Sequence, residues 1–126
     1  MVEPTFIRVT SDELTYPLHI ILRFEIERGL FNGSITVDQI PEIWDAKMKE
    51  YLGIVPDNAS LGCLQDVHWS IGYIGYFPDY LIGAMTAAQL AAKMPNLQQM
   101  LEQRDFQAIK DYLVTNVHSR GSFDRS

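Results

Sequence analysis

The chain has 126 residues, of which 47 % are apolar and 21 % charged, and its formal net charge is −6. That composition is typical of one globular domain, and the acidic balance without any run of basic residues argues against nucleic-acid binding. No apolar stretch approaches the roughly 18–20 residues of a membrane span. A single cysteine excludes an internal disulfide and a cysteine-based zinc site. Together with an N-terminus that lacks a secretory leader, it predicts a cytoplasmic location.

The first helix is predicted from a capping signal near the N-terminus. Thr10 and Glu13 have the T-x-x-E spacing of a capping box, and apolar residues follow at helical spacing. Pro17 lies inside this pattern and predicts a kink, because proline removes a backbone donor. Either Gly29 or Gly33 is expected to end the helix.

A second capping signal and a long irregular segment follow. Thr36 and Gln39 repeat the capping spacing, and a helix is predicted over about 41–52. Residues 54–77 then contain many glycines and aromatic residues without helical or strand periodicity. Because aromatic residues are rare in disordered segments and long ordered loops are commonly functional, we expect a long functional loop there.

The last third of the chain predicts three helices and a short tail. A helix rich in alanine, leucine and methionine is expected over about 78–94, a short one after Asn96, and a last one from Asp105 to Gly121. Residues 121–126 are expected to form a frayed tail. The fold class predicted from these patterns is all-α, an irregular array of five to six helices.

Histidine spacing gives no metal motif. His19, His68 and His118 lie far apart, and neither H-E-x-x-H nor H-x-x-x-H occurs, so no metal ligand is predicted in this chain. His19 is followed by Arg23 and Glu27 at intervals of four residues. This polar stripe is interpreted as an ion-paired helix face in preference to a functional site.

The stretch G-C-L-Q-D-V-H-W at 62–69 concentrates polar and aromatic side chains. One interpretation is a buried polar network that pins the long loop, with Asp66 accepting from His68 or from loop amides and Gln65 bridging backbone groups. The other is a substrate-binding wall, in which Gln65 and His68 offer hydrogen bonds to a peptide or carboxylate, and Trp69 and the tyrosines shape the pocket. The residues alone favour neither interpretation.

The same stretch resembles the G-x-x-Q-D-x-H-W signature of the carboxypeptidase Taq family of zinc metallocarboxypeptidases. The segments F-I-R-V-T-S-D-E, T-Y-P-L-H-I-I-L-R-F-E-I-E, W-D-A-K-M-K-E-Y-L-G-I-V-P and G-Y-F-P-D-Y-L-I-G-A also resemble family sequence in the family's order, although Ser11 stands where alanine is usual. Several motifs in register make this resemblance strong. It covers roughly residues 2–120, so residues 1–120 are interpreted as the C-terminal segment of a helical metallocarboxypeptidase domain.

The resemblance implies a largely helical peptidase with a deep cleft that removes residues from peptide C-termini. It implies that Arg8 holds the substrate carboxylate and that His68 is catalytic, as the hydrogen-bonding partner of Arg8 or as a stabiliser of the oxyanion. Gln65 and Asp66 would orient His68 and the loop. The full set of substrate-binding residues implied is Arg8, Gln65, Asp66, His68, Trp69 and Tyr76.

The resemblance also implies a zinc ion held by an H-E-x-x-H helix and a downstream glutamate, and these 126 residues contain no such motif. We therefore expect a fragment that binds no zinc itself and is inactive alone. Its expected partners are a peptide C-terminus and either the remainder of the peptidase or a second copy, through exposed apolar helices. No membrane or nucleic-acid partner is expected. The alternative is a standalone α-helical module that binds a peptide or partner without catalysis.

Overall fold

The computed structural model describes residues 2–121, and within that range every regular element is helical. This confirms the predicted all-α fold class. A π-helical turn, Val114–His118, continues the last helix, and the tail predicted at 121–126 lies, beyond its first residue, outside the described range. The five α-helices are α1 (Tyr16–Phe31), α2 (Ile40–Leu52), α3 (Phe77–Lys93), α4 (Leu97–Glu102) and α5 (Phe106–Leu113).

Helix α1 begins later than the capping pattern predicts. Thr10 lies in a short 3-10 turn, and its hydroxyl donates to the carbonyl of Ile7. The carboxylate of Asp12 instead accepts from the backbone N–H groups of Leu14 and Thr15, both at 2.9 Å. The predicted kink at Pro17 was wrong, because the proline lies in the first turn of α1, where its missing N–H costs no helical hydrogen bond.

Helices α1 and α2 build the core of the first part of the chain. The capping box predicted at Thr36 and Gln39 is present just before α2, which ends at Gly53 in the left-handed conformation (φ +73°). Apolar residues spaced by four on α2 pack against the buried face of α1 because that spacing places them on one side of the helix. The buried cluster consists of Leu22, Ile26, Trp44, Met48 and Leu52.

A long segment without α-helix joins α2 to α3, as predicted. It contains a turn at residues 59–64 and one 3-10 turn, Trp69–Ile71, before α3 begins at Phe77. The chain divides into two compact units, one ending at Gly83 and the other beginning at Ala84. Among residues 2–121, no helix is both long and apolar enough to cross a membrane.

Candidate carboxylate-binding site

Gln65 fastens the long connection to the N-terminal segment. Its side-chain oxygen accepts from the backbone N–H of Arg8 at 2.9 Å. Its side-chain nitrogen donates to the carbonyls of Phe6 and Leu61, each at 2.9 Å, and of Gly62 at 3.2 Å. Gln65 therefore bridges backbone groups, as the network interpretation predicts, and it does so between two segments far apart in sequence. This brings Arg8 beside the 62–69 stretch.

Asp66 lies between two arginines. Its Oδ1 accepts from Nε and Nη2 of Arg8, at 3.1 and 2.8 Å. Its Oδ2 accepts from Nε of Arg23 at 2.7 Å and lies 2.6 Å from Nη2 of the same residue. Each carboxylate oxygen thus serves a different arginine. We call Arg8, Asp66 and Arg23 the arginine cluster.

The arginine cluster is buried and carries an excess positive charge. Side-chain exposure is 8 % for Arg8, 10 % for Asp66 and 0 % for Arg23. Burial disfavours the charged form of Asp66, but the charges and hydrogen bonds of the two arginines outweigh it, and the pKa of this carboxyl is lowered. Two guanidinium groups and one carboxylate give the cluster a net charge of +1, and the buried carboxylate of Glu27 is bonded to Trp69 and forms an ion pair with neither arginine.

Besides Asp66, Arg23 contacts three other residues of the first unit. Its Nη1 donates to the carbonyl of His19 at 2.7 Å, and its guanidinium carbon lies 4.6 Å from the ring centre of Trp44 and 5.3 Å from that of Phe77. Burial lowers the pKa of Arg23 to about 10, although Asp66 opposes this shift. The guanidinium therefore stays charged at neutral pH.

The polar stripe on α1 is buried, and Arg23 forms its ion pair with Asp66 of the long connection instead of with Glu27 on the same helix face. His19 is 0 % exposed, and neither of its ring nitrogens has a hydrogen-bond partner among the described residues. Burial, and then the charge of Arg23, lower the pKa of His19 to about 4. Glu27 accepts from the indole N–H of Trp69 at 2.7 Å. The stripe therefore faces the 62–69 stretch instead of solvent.

His68 and Arg8 meet at one tyrosine. Nε2 of His68 lies 2.9 Å from the hydroxyl of Tyr80, and the guanidinium carbon of Arg8 lies 4.9 Å from the centre of the same ring. Phe77 is also close to the imidazole, with ring centres 4.4 Å apart. Nδ1 of His68 is buried without a hydrogen-bond partner among the described residues. Tyr76, which is exposed, lies 5.6 Å from the imidazole between ring centres.

All six predicted binding residues lie in the first unit and belong to one connected set of contacts. Gln65 contacts the N-terminal segment and the turn before it rather than His68, and Asp66 contacts the two arginines. Sequence reasoning missed Arg23 and Tyr80 as members of this set. The four-residue spacing of polar residues on α1 was the signal for Arg23, whereas no spacing or motif in the sequence pairs Tyr80 with His68.

A metal centre does not fit the side chains of this region. Among residues 2–121, no group of three or more histidine, cysteine, aspartate or glutamate side chains could hold a metal ion. The carboxylate of Asp66 is already used by two arginines, and the imidazole of His68 is surrounded by aromatic rings. The arginine cluster is suited instead to an anion, since guanidinium groups bind carboxylates strongly.

The proteins that this chain resembles are metallopeptidases. The family model for carboxypeptidase Taq (M32) metallopeptidases matches residues 1–126. The chain therefore belongs to the carboxypeptidase Taq family.

Individual relatives agree with the family match. The chain is 49 % identical over 123 residues to carboxypeptidase 1 of Bacillus subtilis, which covers 94 % of this chain and 25 % of that protein. It is 40 % identical over 125 residues to thermostable carboxypeptidase 1 of Thermus thermophilus, covering 96 % and 24 %. The crystal structure of BsuCP superposes with a TM-score of 0.86 at 46 % identity, over 98 % of this chain and 26 % of that one. The chain thus spans about a quarter of the length of its relatives.

Proposed function

We propose that this chain forms the part of a zinc carboxypeptidase that binds the C-terminal carboxylate of a peptide. The observation that carries the proposal is the net positive charge of the buried arginine cluster. A buried excess charge is costly unless a counter-charge approaches it. The α-carboxylate at a peptide C-terminus supplies that counter-charge, whereas a blocked or internal peptide unit does not.

Arg8 is the member of the cluster proposed to contact the substrate. A guanidinium has five N–H groups. Among the described residues, Asp66 accepts from two of those of Arg8, and the hydroxyl of Tyr16 accepts from a third at 3.1 Å. Two N–H groups, one on each terminal nitrogen, are left for a ligand. They allow a bidentate hydrogen bond to a carboxylate, the geometry in which arginine discriminates best.

His68 is proposed to act next to Arg8, at the scissile peptide group. The hydroxyl of Tyr80 fixes Nε2 of His68, and Phe77 packs against the ring. Because Nε2 is used by Tyr80, Nδ1 is the ring nitrogen left to donate a hydrogen bond to an oxygen on which negative charge develops. Trp69 and Tyr76 are proposed to form the wall of the binding site, and Gln65 and Asp66 to hold it together.

The metal of the reaction is proposed to be bound by other parts of a longer polypeptide. The described side chains form no ligand set, so this chain is proposed to bind substrate without hydrolysing it. Hydrolysis of a peptide with a free C-terminus by the purified 126-residue chain, with zinc added, would contradict this part of the proposal.

Binding of two matched ligands tests the carboxylate site. We expect the chain to bind an N-acetylated dipeptide with a free C-terminal carboxylate about tenfold to a hundredfold more tightly than the corresponding C-terminal amide, as measured by titration calorimetry. Arg8→Met should remove most of this preference. Lys47→Met is the matched control, because it breaks a different ion pair, with Glu25, outside the arginine cluster. Equal affinity for acid and amide in the unaltered chain would refute the proposal and favour a general binding module.

The protein partner is proposed to be the remainder of the peptidase or, in its place, a second copy of this chain. Several large apolar side chains of the first unit are more than half exposed, which marks surfaces that associate. Sedimentation velocity should show species larger than a monomer, and a hydrophobic dye should bind. A monomer that binds no dye would contradict self-association. The exposed side chains concerned are Phe31, Leu64, Val67, Ile71 and Tyr73.

A further inference from the structure

The carboxylate of Asp66 connects Arg8, whose side chain keeps a small exposed area, to Arg23, whose side chain has none. Arg8 retains 8 % side-chain exposure, whereas Arg23 retains none. The proposed function gives Arg8 a direct role and leaves Arg23 without one. A fully buried arginine is rare because its desolvation is costly, so a role for Arg23 is expected.

Arg23 is the rigid end of the arginine cluster. It lies in the middle of α1, its Nη1 donates to the carbonyl of His19, and its guanidinium carbon lies within 5.3 Å of the ring centres of Trp44 and Phe77. Asp66, in contrast, lies in the long connection, outside any helix. The two contacts from Arg23 to Oδ2 therefore determine which way the carboxylate of Asp66 points.

The orientation of Asp66 in turn determines the orientation of Arg8. With Oδ2 occupied by Arg23, only Oδ1 is available to Nε and Nη2 of Arg8. This side-on contact leaves N–H groups on the two terminal nitrogens of Arg8 unused. If the carboxylate could rotate, Arg8 could turn its terminal nitrogens to Asp66 instead and would no longer offer them to a ligand.

Arg23 also supplies the charge that makes the cluster attract an anion. Arg8 and Asp66 alone form a neutral pair, and the net electrostatic attraction of a neutral pair for a carboxylate is weak. With Arg23 the cluster has a net charge of +1. We propose that Arg23 is a positioning residue that acts through Asp66 to orient Arg8 and to set the preference for peptides with a free α-carboxylate. This inference rests on the proposed function of Arg8.

A measurement without any ligand tests the orientation. We expect the Nε–H of Arg8 to give a resolved, slowly exchanging signal in ¹⁵N NMR spectra, because it is bonded to Asp66. Arg23→Lys keeps the charge but loses the fork of donors, and it should shift this signal and speed its exchange. Lys47→Met should leave the signal unchanged. An unaltered Arg8 signal in folded Arg23→Lys protein would overturn the inference.

Ligand binding in a double-mutant cycle tests whether Arg23 acts through Arg8. The measured quantity is the ratio of the Kd for the amide to the Kd for the acid of the N-acetylated dipeptide. Arg23→Met, which makes the cluster neutral, should lower this ratio about tenfold, and Arg23→Lys should lower it less. In an Arg8→Met background, Arg23→Lys, which keeps the charge of the cluster, should not lower the ratio further, because coupled residues are not additive. A merely structural role for Arg23 would lower stability in both backgrounds without this dependence.

The two proposals can fail separately. If Arg8→Met abolishes the preference for the acid while Arg23→Met and Arg23→Lys retain it, Arg23 is not a positioning residue, and the proposed function stands. If the unaltered chain shows no preference, the proposed function fails, and the ¹⁵N signal still decides whether Arg23 orients Arg8. Should Arg23→Met not fold, Arg23→Lys and the spectrum carry the test.

Discussion

The two units of this chain are both helical, yet they bury their side chains very differently. The unit ending at Gly83 contains nearly every buried residue, including the charged arginine cluster. Among the described residues of the unit beginning at Ala84, only Met94 is buried. Phe106 on α5, which belongs to the apolar stripe of an amphipathic helix, is 63 % exposed. A segment can therefore form a helix without forming a core, because burial of its apolar face requires a second apolar surface to pack against.

Removing a large side chain from each unit should show the difference most clearly. Trp44→Ala removes a side chain that is 1 % exposed and should lower the free energy of unfolding by about 3–5 kcal/mol. Phe106→Ala should change it by about 0.5 kcal/mol or less, because little burial is lost. Urea unfolding followed by circular dichroism measures both. Comparable effects would mean that α5 is buried in solution.

Acidification should weaken the first unit through His19. The unfolded histidine takes up a proton near pH 6.5, whereas the folded one does so only near its lowered pKa of about 4. Unfolding therefore binds a proton between these values, and stability should fall as the pH falls, by about 3 kcal/mol in total. The tryptophans, Trp44 and Trp69, both lie in this unit, so their fluorescence reports its unfolding in urea at each pH.

Two histidine variants separate this effect from general acid denaturation. His19→Gln should flatten the dependence between pH 6.5 and 4, while the exposed His118→Gln, in the other unit, should leave it unchanged. The carboxyl of Asp66, whose pKa is lowered, adds a further loss as the pH falls below its ordinary value. A His19→Gln variant with an unaltered pH profile would show that this imidazole is solvated.

Helix caps should give the smallest effects, and similar ones in the two units. Asp105 accepts from the backbone N–H of Ala108 at 3.0 Å, and Thr36 forms the capping box before α2. Asp105→Ala and Thr36→Ala should each cost about 1 kcal/mol. The effect of Asp105→Ala is measured as a loss of the helical circular dichroism signal of the chain. Asp105→Asn, which retains a capping side chain, is the control. A cap in one unit with no effect would indicate that its helix is already frayed.

Helix caps and turns could be predicted from the sequence where they depend on residues only a few positions apart. The cap at Asp105, the capping box before α2 and the left-handed Gly53 were all predictable for this reason. The start of α1 was not, because Thr10 and Asp12 both offer a capping side chain and only packing chose between them. The proposed binding residues were predicted from a resemblance of motifs, not from periodicity.

The sequence by itself determined the helical elements, the long connection before α3 and the family, since each depends on short-range patterns or on motifs in order. Only the tertiary structure placed Arg23 against Asp66 and joined His68 to Arg8 through Tyr80. These contacts link residues up to 72 positions apart, from Arg8 to Tyr80. Their formation depends on how α1 packs against the long connection. A four-residue spacing of polar residues on α1 cannot show whether that face of the helix contacts solvent or a buried carboxylate.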